Sequence, residues 1–589
     1  MLESIKNSRR TKIVATIGPA CSSKEMITEL IKAGVNVFRL NFSHGSHEEH
    51  GNIIKIIREA SKELNSVVSI LQDIQGPKIR IGKVENDSVE IKEGQDFYLT
   101  NKPLIANSEI ASVTYDNLLL DIKAGVTILI DDGKIELKVL EVLDDKLHCK
   151  VITGGIIRPN KGVNFPKTTL SISSITEKDK KDIIFGIKNR VDFIAVSFVQ
   201  KPSDVMEVKE IISSYNSKIP IVSKIECQAA IDNLEDILAV SDAIMVARGD
   251  MGVELDTEDI PLLQKKIIKM CNKVSIPVIT ATQMLDSMIN NPRPTRAETT
   301  DIANAILDGT DAIMLSNETA VGKYPIETVK TMAKIAQKAD MELIKNFSLN
   351  YTAHQLYTIS GSISMASTYI SQALKASAII TATFSGSSAK KISRFRPPAI
   401  IIAATPELST LRQMTLVWGV YPILIPPAND TDSMIKNVVD VSKEQKLITD
   451  GDIVVITTGV PIGVAGTTNI IKVEVVTTII AQGMGVGKAI ASGKVVFANT
   501  PEEAINKINQ GDILVTTMTD RDFVPAMKKS GGVITEEGGL TSHAAIVCMS
   551  LGIPLVIGVS GVFEKLKEGS IVTIDPRRGL IFAGNPQIV

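Results

Sequence analysis

From residue 12 to about residue 318 the chain repeats one pattern. A short aliphatic, often β-branched run ends in polar or glycine residues, and an amphipathic stretch of helical period follows. Such runs stand at 12–18, 37–43, 69–74, 192–198, 221–226, 243–250, 278–283 and 312–318, and Asp242-Ala243-Ile244-Met245 is echoed in Asp311-Ala312-Ile313-Met314. The runs are apolar throughout rather than alternating, as parallel strands covered on both faces are. Eight βα units predict an α/β fold with a closed (β/α)8 (TIM) barrel, whose chemistry gathers where the strands end. The polar residues that break the apolar texture stand at those ends: Arg39, Asn41, Asp73, Lys224, Glu226, Asp250, Thr282 and Glu318.

One interval departs from the alternation. Over residues 74–170 the chain turns β-rich, with strand candidates at 89–92, 127–130, 135–140 and 147–153 between Gly and Asp turns. It reads as an inserted β-barrel lid domain hinged over the mouth of the main barrel, which occupies 1–73 and 171–344. Residues 345–475 alternate helices and strands, with strands expected at 379–383, 399–404 and 452–457, and read as an α/β domain. Residues 480–589 are strand-rich with many glycines and form a fourth unit.

Composition agrees with several cores. A chain of 589 residues exceeds what one core serves, at roughly 100–200 residues per domain. Hydrophobic residues make up 44% and charged residues 22%, which excludes wholesale disorder. Lys+Arg (64) and Asp+Glu (66) nearly balance, giving no reason to expect a nucleic-acid or anionic-membrane partner. No apolar run approaches the ~18 residues of a membrane span. The first twelve residues are polar and lead into a strand, the pattern of neither a signal nor a transit peptide. The cysteines (Cys21, Cys149, Cys227, Cys271, Cys548) lack metal or disulfide spacing, so a reducing, cytoplasmic setting is expected.

Glu226 and Asp250 close neighbouring runs, as Lys-Ile-Glu and Arg-Gly-Asp. Two carboxylates with an open side make a hard-oxygen site suited to Mg²⁺ (or Mn²⁺) that keeps water and substrate oxygens; the alternative is a structural ion pair with Lys224 or Arg248. Lys224 places a positive charge where a phosphoryl group or an enolate would need one. Arg39 and Arg80 offer forks for phosphate oxygens. His44, His47 and His50 have a metal-like look, but beside Glu48 and Glu49 they read as a solvated face with one useful histidine. Gly483-x-Gly485-x-Gly487-Lys488 lacks the glycine spacing and the Ser or Thr of a phosphate loop. Thr383, Ser385, Gly386, Ser387 and Ser388, between a strand and a helix, form a candidate anion nest, with a loop carrying Gly463, Gly466, Thr467 and Thr468 able to close over the same ligand. His543 stands where glycine turns pass into a helix.

These motifs in this order resemble the pyruvate kinase family over about residues 1–475. The matching segments are residues 12–18 with Pro19, Phe38-Arg39-Leu40-Asn41-Phe42-Ser43-His44-Gly45, Ser223-Lys224-Ile225-Glu226, Ala247-Arg248-Gly249-Asp250, Ala281-Thr282-Gln283-Met284-Leu285 and Met314-Leu315-Ser316. The resemblance implies transfer of the phosphoryl group of phosphoenolpyruvate to ADP, giving pyruvate and ATP. By it, Arg39 holds the phosphoryl group, Lys224 stabilises it in flight, and Glu226 and Asp250 bind Mg²⁺. Gly249 and Thr282 hold the substrate, with Thr282 near the enolate's proton relay, while Arg80, His44 and Asn41 face the nucleotide. It further implies a phosphorylated allosteric effector on the third domain and a homotetramer. The last ~110 residues resemble the phosphohistidine domain of phosphoenolpyruvate-using dikinases and phosphotransferases, through Thr541-Ser542-His543-Ala544-Ala545, although His543 is expected to take no part in the main reaction.

Most members of the family need K⁺ and read Asp-Thr-Lys-Gly-Pro-Glu after the third strand. Here the stretch is Asp73-Ile74-Gln75-Gly76-Pro77-Lys78. The positions that resemble K⁺ ligands (Asn41, Ser43, Asp73, Ile74) remain, but Lys78 replaces the glutamate, as in the K⁺-independent branch, and K⁺ is not expected to be required. Two rival functions share parts of this pattern. A Mg²⁺–enolate lyase or aldolase would use Glu226 and Asp250 without the lid or the two arginines, and a non-catalytic metabolite sensor would use only the third domain.

Overall fold

The computed structural model describes residues 8–168, 170–347, 358–460, 468–477 and 479–584. The strands Lys12–Thr16, Val37–Asn41, Ser69–Asp73, Phe193–Val196, Ile221–Ile225, Ala243–Ala247, Val278–Ala281 and Ala312–Leu315 close into an all-parallel barrel in sequence order. Lys12 pairs with Ala312 and Val14 with Val37, which completes the ring. Alternate side chains divide between two apolar layers. Val14, Val37, Leu71, Val222, Met245, Ile279 and Met314 fill the interior, while Ile13, Phe38, Ile70, Ile194, Ile244 and Ile313 face the surrounding helices. Burial on both faces is why these segments carry no polar alternation until they reach the mouth. Helices open sharply where the sequence supplies reciprocal caps, Ser46 with Glu49, Thr176 with Asp179 and Thr295 with Glu298.

The inserted domain leaves the barrel after Asp73. Its main sheet has six strands, in the order Val163–Asn164, Thr127–Ile130, Ile135–Val142, Leu147–Thr153, Asp96–Thr100 and Ile110–Ser112. Strict alternation is visible in Ile135, Leu137 and Val139, which point into a core separate from that of the main barrel. The entry segment bridges both edges of this sheet, Arg80 to Gly162 and Ile81 to Val113, so the domain closes through isolated bridges rather than a further strand. On the barrel side, Asn164 and Lys167 reach Glu254 and Asp256.

The third domain is a five-stranded sheet, Val420–Leu424, Ile400–Thr405, Ala378–Ala382, Ile453–Gly459 and Thr468–Val475, with only the last strand antiparallel. It docks under the barrel: Leu416 enters the barrel's interior layer from below. The buried Asp340 carboxylate accepts from the amides of Arg10 and Thr11 (2.7 and 2.8 Å) and from the Trp418 indole (3.0 Å). The C-terminal unit is a mixed eight-stranded sheet. Met484–Val486 is one of its edge strands, and a Cβ on Gly485 would fall 1.7 Å from the Pro576 carbonyl oxygen. The glycine there serves close backbone packing, not a phosphate.

Candidate active site at the barrel mouth

A cavity of about 580 Å³ lies between the barrel mouth and the inserted domain. Arg39, Asn41, Ser43, Asp73, Lys224, Glu226 and Asp250 line it from the barrel, and Lys78 and Arg80 from the inserted side. Strand register brings the charged groups together: Asn41 lies opposite Asp73, and Arg39 opposite Thr16. Arg39 Nε donates to Asp73 Oδ2 at 2.6 Å, and its Nη1 to Thr16 Oγ1 at 3.1 Å. Lys224 Nζ lies 2.8 Å from Glu226 Oε1 and 3.5 Å from Asp73 Oδ1, and donates to Ser197 Oγ at 2.8 Å. The amide of Phe198 donates to the other Glu226 oxygen at 2.7 Å. Buried Lys224, Asp73 and Glu226, with the half-buried Arg39, are thus joined in one hydrogen-bonded network, the condition under which buried charge is tolerable.

The network biases its own protons. Burial alone would push Lys224 down, but Asp73, Glu226 and Asp250 overcome it and hold the ammonium above its ordinary range. For Asp73, burial opposes ionisation and is outweighed by Lys224 and Arg39, so its carboxyl falls below the usual range. Burial, and after Lys224's opposing pull the repulsion of Asp250, push Glu226 up.

Asp250 differs from expectation in its setting. The chain turns helical immediately after Ala247, so Asp250 sits in the first turn of the helix Arg248–Glu254 rather than closing a strand. Its exposed carboxylate faces the cavity and makes no hydrogen bond or ion pair among the described residues. Arg248 does not pair with Glu226: it bridges to Asp301 at 2.7 Å and donates to the carbonyl of Thr282 at 2.7 Å. Gly249 N–H donates to Thr282 Oγ1 at 2.7 Å, and the hydroxyl donates to Ala281 O at 2.6 Å. Thr282 and Gln283 both lie in the left-handed region (φ 69° and 53°), a strain that clusters at functional sites.

The donors fit a hard divalent cation. Among the described residues no three His, Cys, Asp or Glu side chains converge on one point. Glu226 and Asp250 both line the cavity and feel each other's charge, an arrangement that would suit an ion keeping water and substrate oxygens. A cation between them would also offset the repulsion from Asp250 that adds to burial in pushing Glu226 up.

The positions that resemble monovalent-cation ligands are internally engaged. Asp73 is shared between Arg39 and Lys224, the Ile74 carbonyl accepts from Ser197 Oγ at 2.7 Å, and Asn41 Oδ1 accepts from the Ser43 amide at 3.1 Å. Lys78 projects exposed at the cavity wall; desolvation beside the wall and the nearby Arg80 and Lys224 pull its ammonium down, against Asp250 and Glu226. Arg80 Nη1 donates to Asn160 O at 2.6 Å. His44 is exposed and does not line the cavity. The three histidines are not one solvated face: His50 is buried, stacked on Phe42 at 4.0 Å with Nε2 on the His44 carbonyl, and His47 pairs with Asp182 at 2.7 Å.

In the third domain, Thr383 Oγ1 accepts from the Gly386 amide at 3.0 Å, Ser385 is exposed, Ser387 opens the helix Ser387–Ser393 half-buried, and the buried Ser388 shares a hydrogen bond with Thr468. Gly463, Gly466 and Thr467 lie outside the described residues. His543 is far along the chain, in the C-terminal unit, with Nδ1 3.0 Å from Thr519 Oγ1. Sequence reasoning passed over Ser197, Phe198, Asn164 and Glu254. The strand-end rule that singled out Lys224 reaches the first two, whereas nothing local marks Asn164 and Glu254.

The chain matches three family profiles: "Pyruvate kinase, barrel domain" over residues 8–329, "Pyruvate kinase, alpha/beta domain" over 361–474, and "PEP-utilising enzyme, mobile domain" over 508–579. It is 48% identical over 580 residues to pyruvate kinase 2 of Synechocystis, covering 98% of each chain. With the pyruvate kinase of Geobacillus stearothermophilus it shares 46% over 587 residues, 99% of this chain and 100% of that one. A crystal structure of a pyruvate kinase from Cryptosporidium parvum superposes with a TM-score of 0.75 at 37% identity, over 80% of this chain and 97% of that chain.

Proposed function

The chain belongs to the pyruvate kinase family and transfers the phosphoryl group of phosphoenolpyruvate to ADP, giving pyruvate and ATP, and we propose that it does so through Arg39, Lys224, Thr282, Glu226 and Asp250 in the cavity beneath the inserted domain. The observation that carries this assignment is the buried Lys224 ammonium, held charged between Asp73, Glu226 and Ser197 at the strand ends.

The reaction moves a group that bears negative charge on three oxygens and leaves an enolate that must gain a proton at carbon. Preorganised positive charge is therefore the main thing a protein can supply. Arg39, fixed by Asp73 and Thr16, presents its remaining donors to the phosphoryl oxygens. Lys224, rigidly placed, meets the charge that develops as the phosphoryl group leaves. Gly249 N–H donates to Thr282 Oγ1, whose own proton goes to Ala281 O, and the substrate carboxylate competes for that amide; Thr282 is then placed beside the proton's path to the enolate. Glu226 and Asp250 would hold Mg²⁺ or Mn²⁺, which supplies positive charge to phosphoryl and enolate oxygens. Arg80 and Asn41, which line the cavity, face the nucleotide, while the exposed His44 lies outside that lining. The inserted domain acts as a lid that excludes water, which otherwise competes with ADP for the phosphoryl group.

K⁺ is not required on this reading, because Lys78 brings a positive charge to the wall that would repel a monovalent cation held by Asn41, Ser43, Asp73 and the Ile74 carbonyl. The third-domain loop Thr383, Ser385, Gly386, Ser387 and Ser388, with Thr468 and the segment carrying Gly463, Gly466 and Thr467, is the site for a phosphorylated effector. The enzyme is a cytoplasmic homotetramer, as its family resemblance suggests, and His543 takes no part in turnover.

The test is ADP-dependent pyruvate formation over a Mg²⁺ titration, for wild type, Glu226→Gln and Asp250→Asn. Each variant should need at least ~10–100-fold more Mg²⁺, the loss that removing even a ligand's supporting partner produces. Wild-type Mg²⁺ dependence in both variants would contradict the assignment.

A further inference from the structure

Phe198 stands two residues past the fourth barrel strand, Phe193–Val196, with its backbone in the left-handed region at φ 59°. That conformation disfavours every residue with a Cβ, and glycine meets it most easily. A bulky aromatic side chain persists there only when its surroundings over-determine it. Phe198 has three such ties. Its N–H donates to Glu226 Oε2 at 2.7 Å. Its carbonyl accepts at 3.1 Å from the hydroxyl of Ser174, a buried residue on the segment that returns from the inserted domain. Its half-buried ring packs against the apolar core of the inserted domain itself.

We propose that Phe198 is a positioning residue that couples the seating of the inserted domain to the orientation of the Glu226 carboxylate. The inference rests on the reading of Glu226 as a cation-holding residue and of the inserted domain as a lid. With the ring seated in the lid, residue 198 is held in its strained conformation and its amide fixes one oxygen of Glu226. With the ring released, strain favours return to the ordinary backbone region, which displaces the amide and the carbonyl together. Lid closure and completion of the cation site are then one event. Where the lid is poorly seated, the phosphoryl group passes to water, so that phosphoenolpyruvate and water give pyruvate and inorganic phosphate in place of ATP.

Phe198→Ala keeps the amide and the Cβ that makes this backbone region costly, and removes only the ring. Assayed with phosphoenolpyruvate and ADP, it should yield less than one ATP per pyruvate, with inorganic phosphate making up the difference. Its half-saturating Mg²⁺ concentration should rise by about threefold or more, while Phe198→Leu, which still fills the lid core, returns both within about twofold of wild type. A role confined to stability would lower the melting temperature and leave both readouts at wild-type values, and that result overturns the proposal. Should Phe198→Ala not fold, Ser174→Ala, which removes the hydroxyl on the Phe198 carbonyl, carries the test with the same readouts. Glu226→Gln separates the two readings. If it keeps wild-type Mg²⁺ dependence, the assignment of Glu226 falls and the coupling with it. If it loses that dependence while the Phe198 variants do not, the coupling alone falls.

Discussion

Asn164, on the last strand of the inserted domain, donates its side-chain amide to Glu254 Oε1 at 2.8 Å. Glu254 closes the helix Arg248–Glu254 that also carries Gly249 and Asp250, so a residue of the inserted domain holds the helix that presents two candidate site groups. Burial pushes the Glu254 carboxyl up, and the bond from Asn164 works against that push.

Asn164→Ala leaves a buried carboxylate oxygen without its partner and should cost about 1–3 kcal/mol of stability. The loss of that bond raises the Glu254 carboxyl further in the folded protein. A carboxyl raised above its unfolded value binds more protons when folded, so stability falls as pH rises through the raised value. The deficit of Asn164→Ala in denaturant unfolding should accordingly be larger at pH 8 than at pH 5. Equal deficits at the two pH values would show that Glu254 does not respond to Asn164.

Lys12 opens the first barrel strand, yet its ammonium is buried at the junction with the third domain, where it donates to the Val420 carbonyl at 2.7 Å. Burial, reinforced by Arg9 and Arg10 and opposed by Asp340 and Asp311, pulls it down to about 7. A lysine depressed in the folded state binds fewer protons there than when unfolded, between about 7 and its ordinary 10.5. Its burial therefore destabilises the fold fully below pH 7, and the penalty lifts as pH rises towards 10. Thermal unfolding of Lys12→Met and wild type should show the largest difference near pH 6, narrowing by pH 9.5. A difference independent of pH would mean that Lys12 stays charged at the junction.

Lys78 provides the third prediction. Turnover of the wild type in buffer free of Na⁺ and K⁺, with a bulky organic cation holding ionic strength, should change little on adding K⁺. Lys78→Glu alters the local charge by two units and restores an anionic wall, so K⁺ should activate it by about tenfold or more, as expected when an opposite charge within a few ångströms is exchanged for a like one. Tenfold K⁺ activation of the wild type would remove Lys78 from this role.

The barrel was legible because burial on both faces writes each strand as an apolar run, and the residues that end those runs, Arg39, Asp73, Lys224 and Glu226, are the ones the structure joins. Asp250 was found by its motif but placed on a strand. Seven residues of helix directly after Ala247 are too few to show a period. His50 looked solvated because its neighbours Glu48 and Glu49 are, whereas stacking on Phe42 is a tertiary contact with no local trace. Leu416 sealing the barrel from below and Asn164 reaching Glu254 are likewise contacts between distant segments. Phe198 was read as the end of a strand; its left-handed backbone is invisible in a sequence that offers no glycine there.

The central claim is that Lys224, held charged at the barrel mouth, stabilises the phosphoryl group as it passes from phosphoenolpyruvate to ADP. Its most direct measurement is turnover of Lys224→Met beside wild type at saturating Mg²⁺, with the melting temperature of both. The account predicts a folded variant whose ADP-dependent pyruvate formation falls by about 10²–10⁴, the loss expected when one preorganised charge is removed from a developing anion. A folded Lys224→Met that keeps more than about a tenth of wild-type turnover would contradict it.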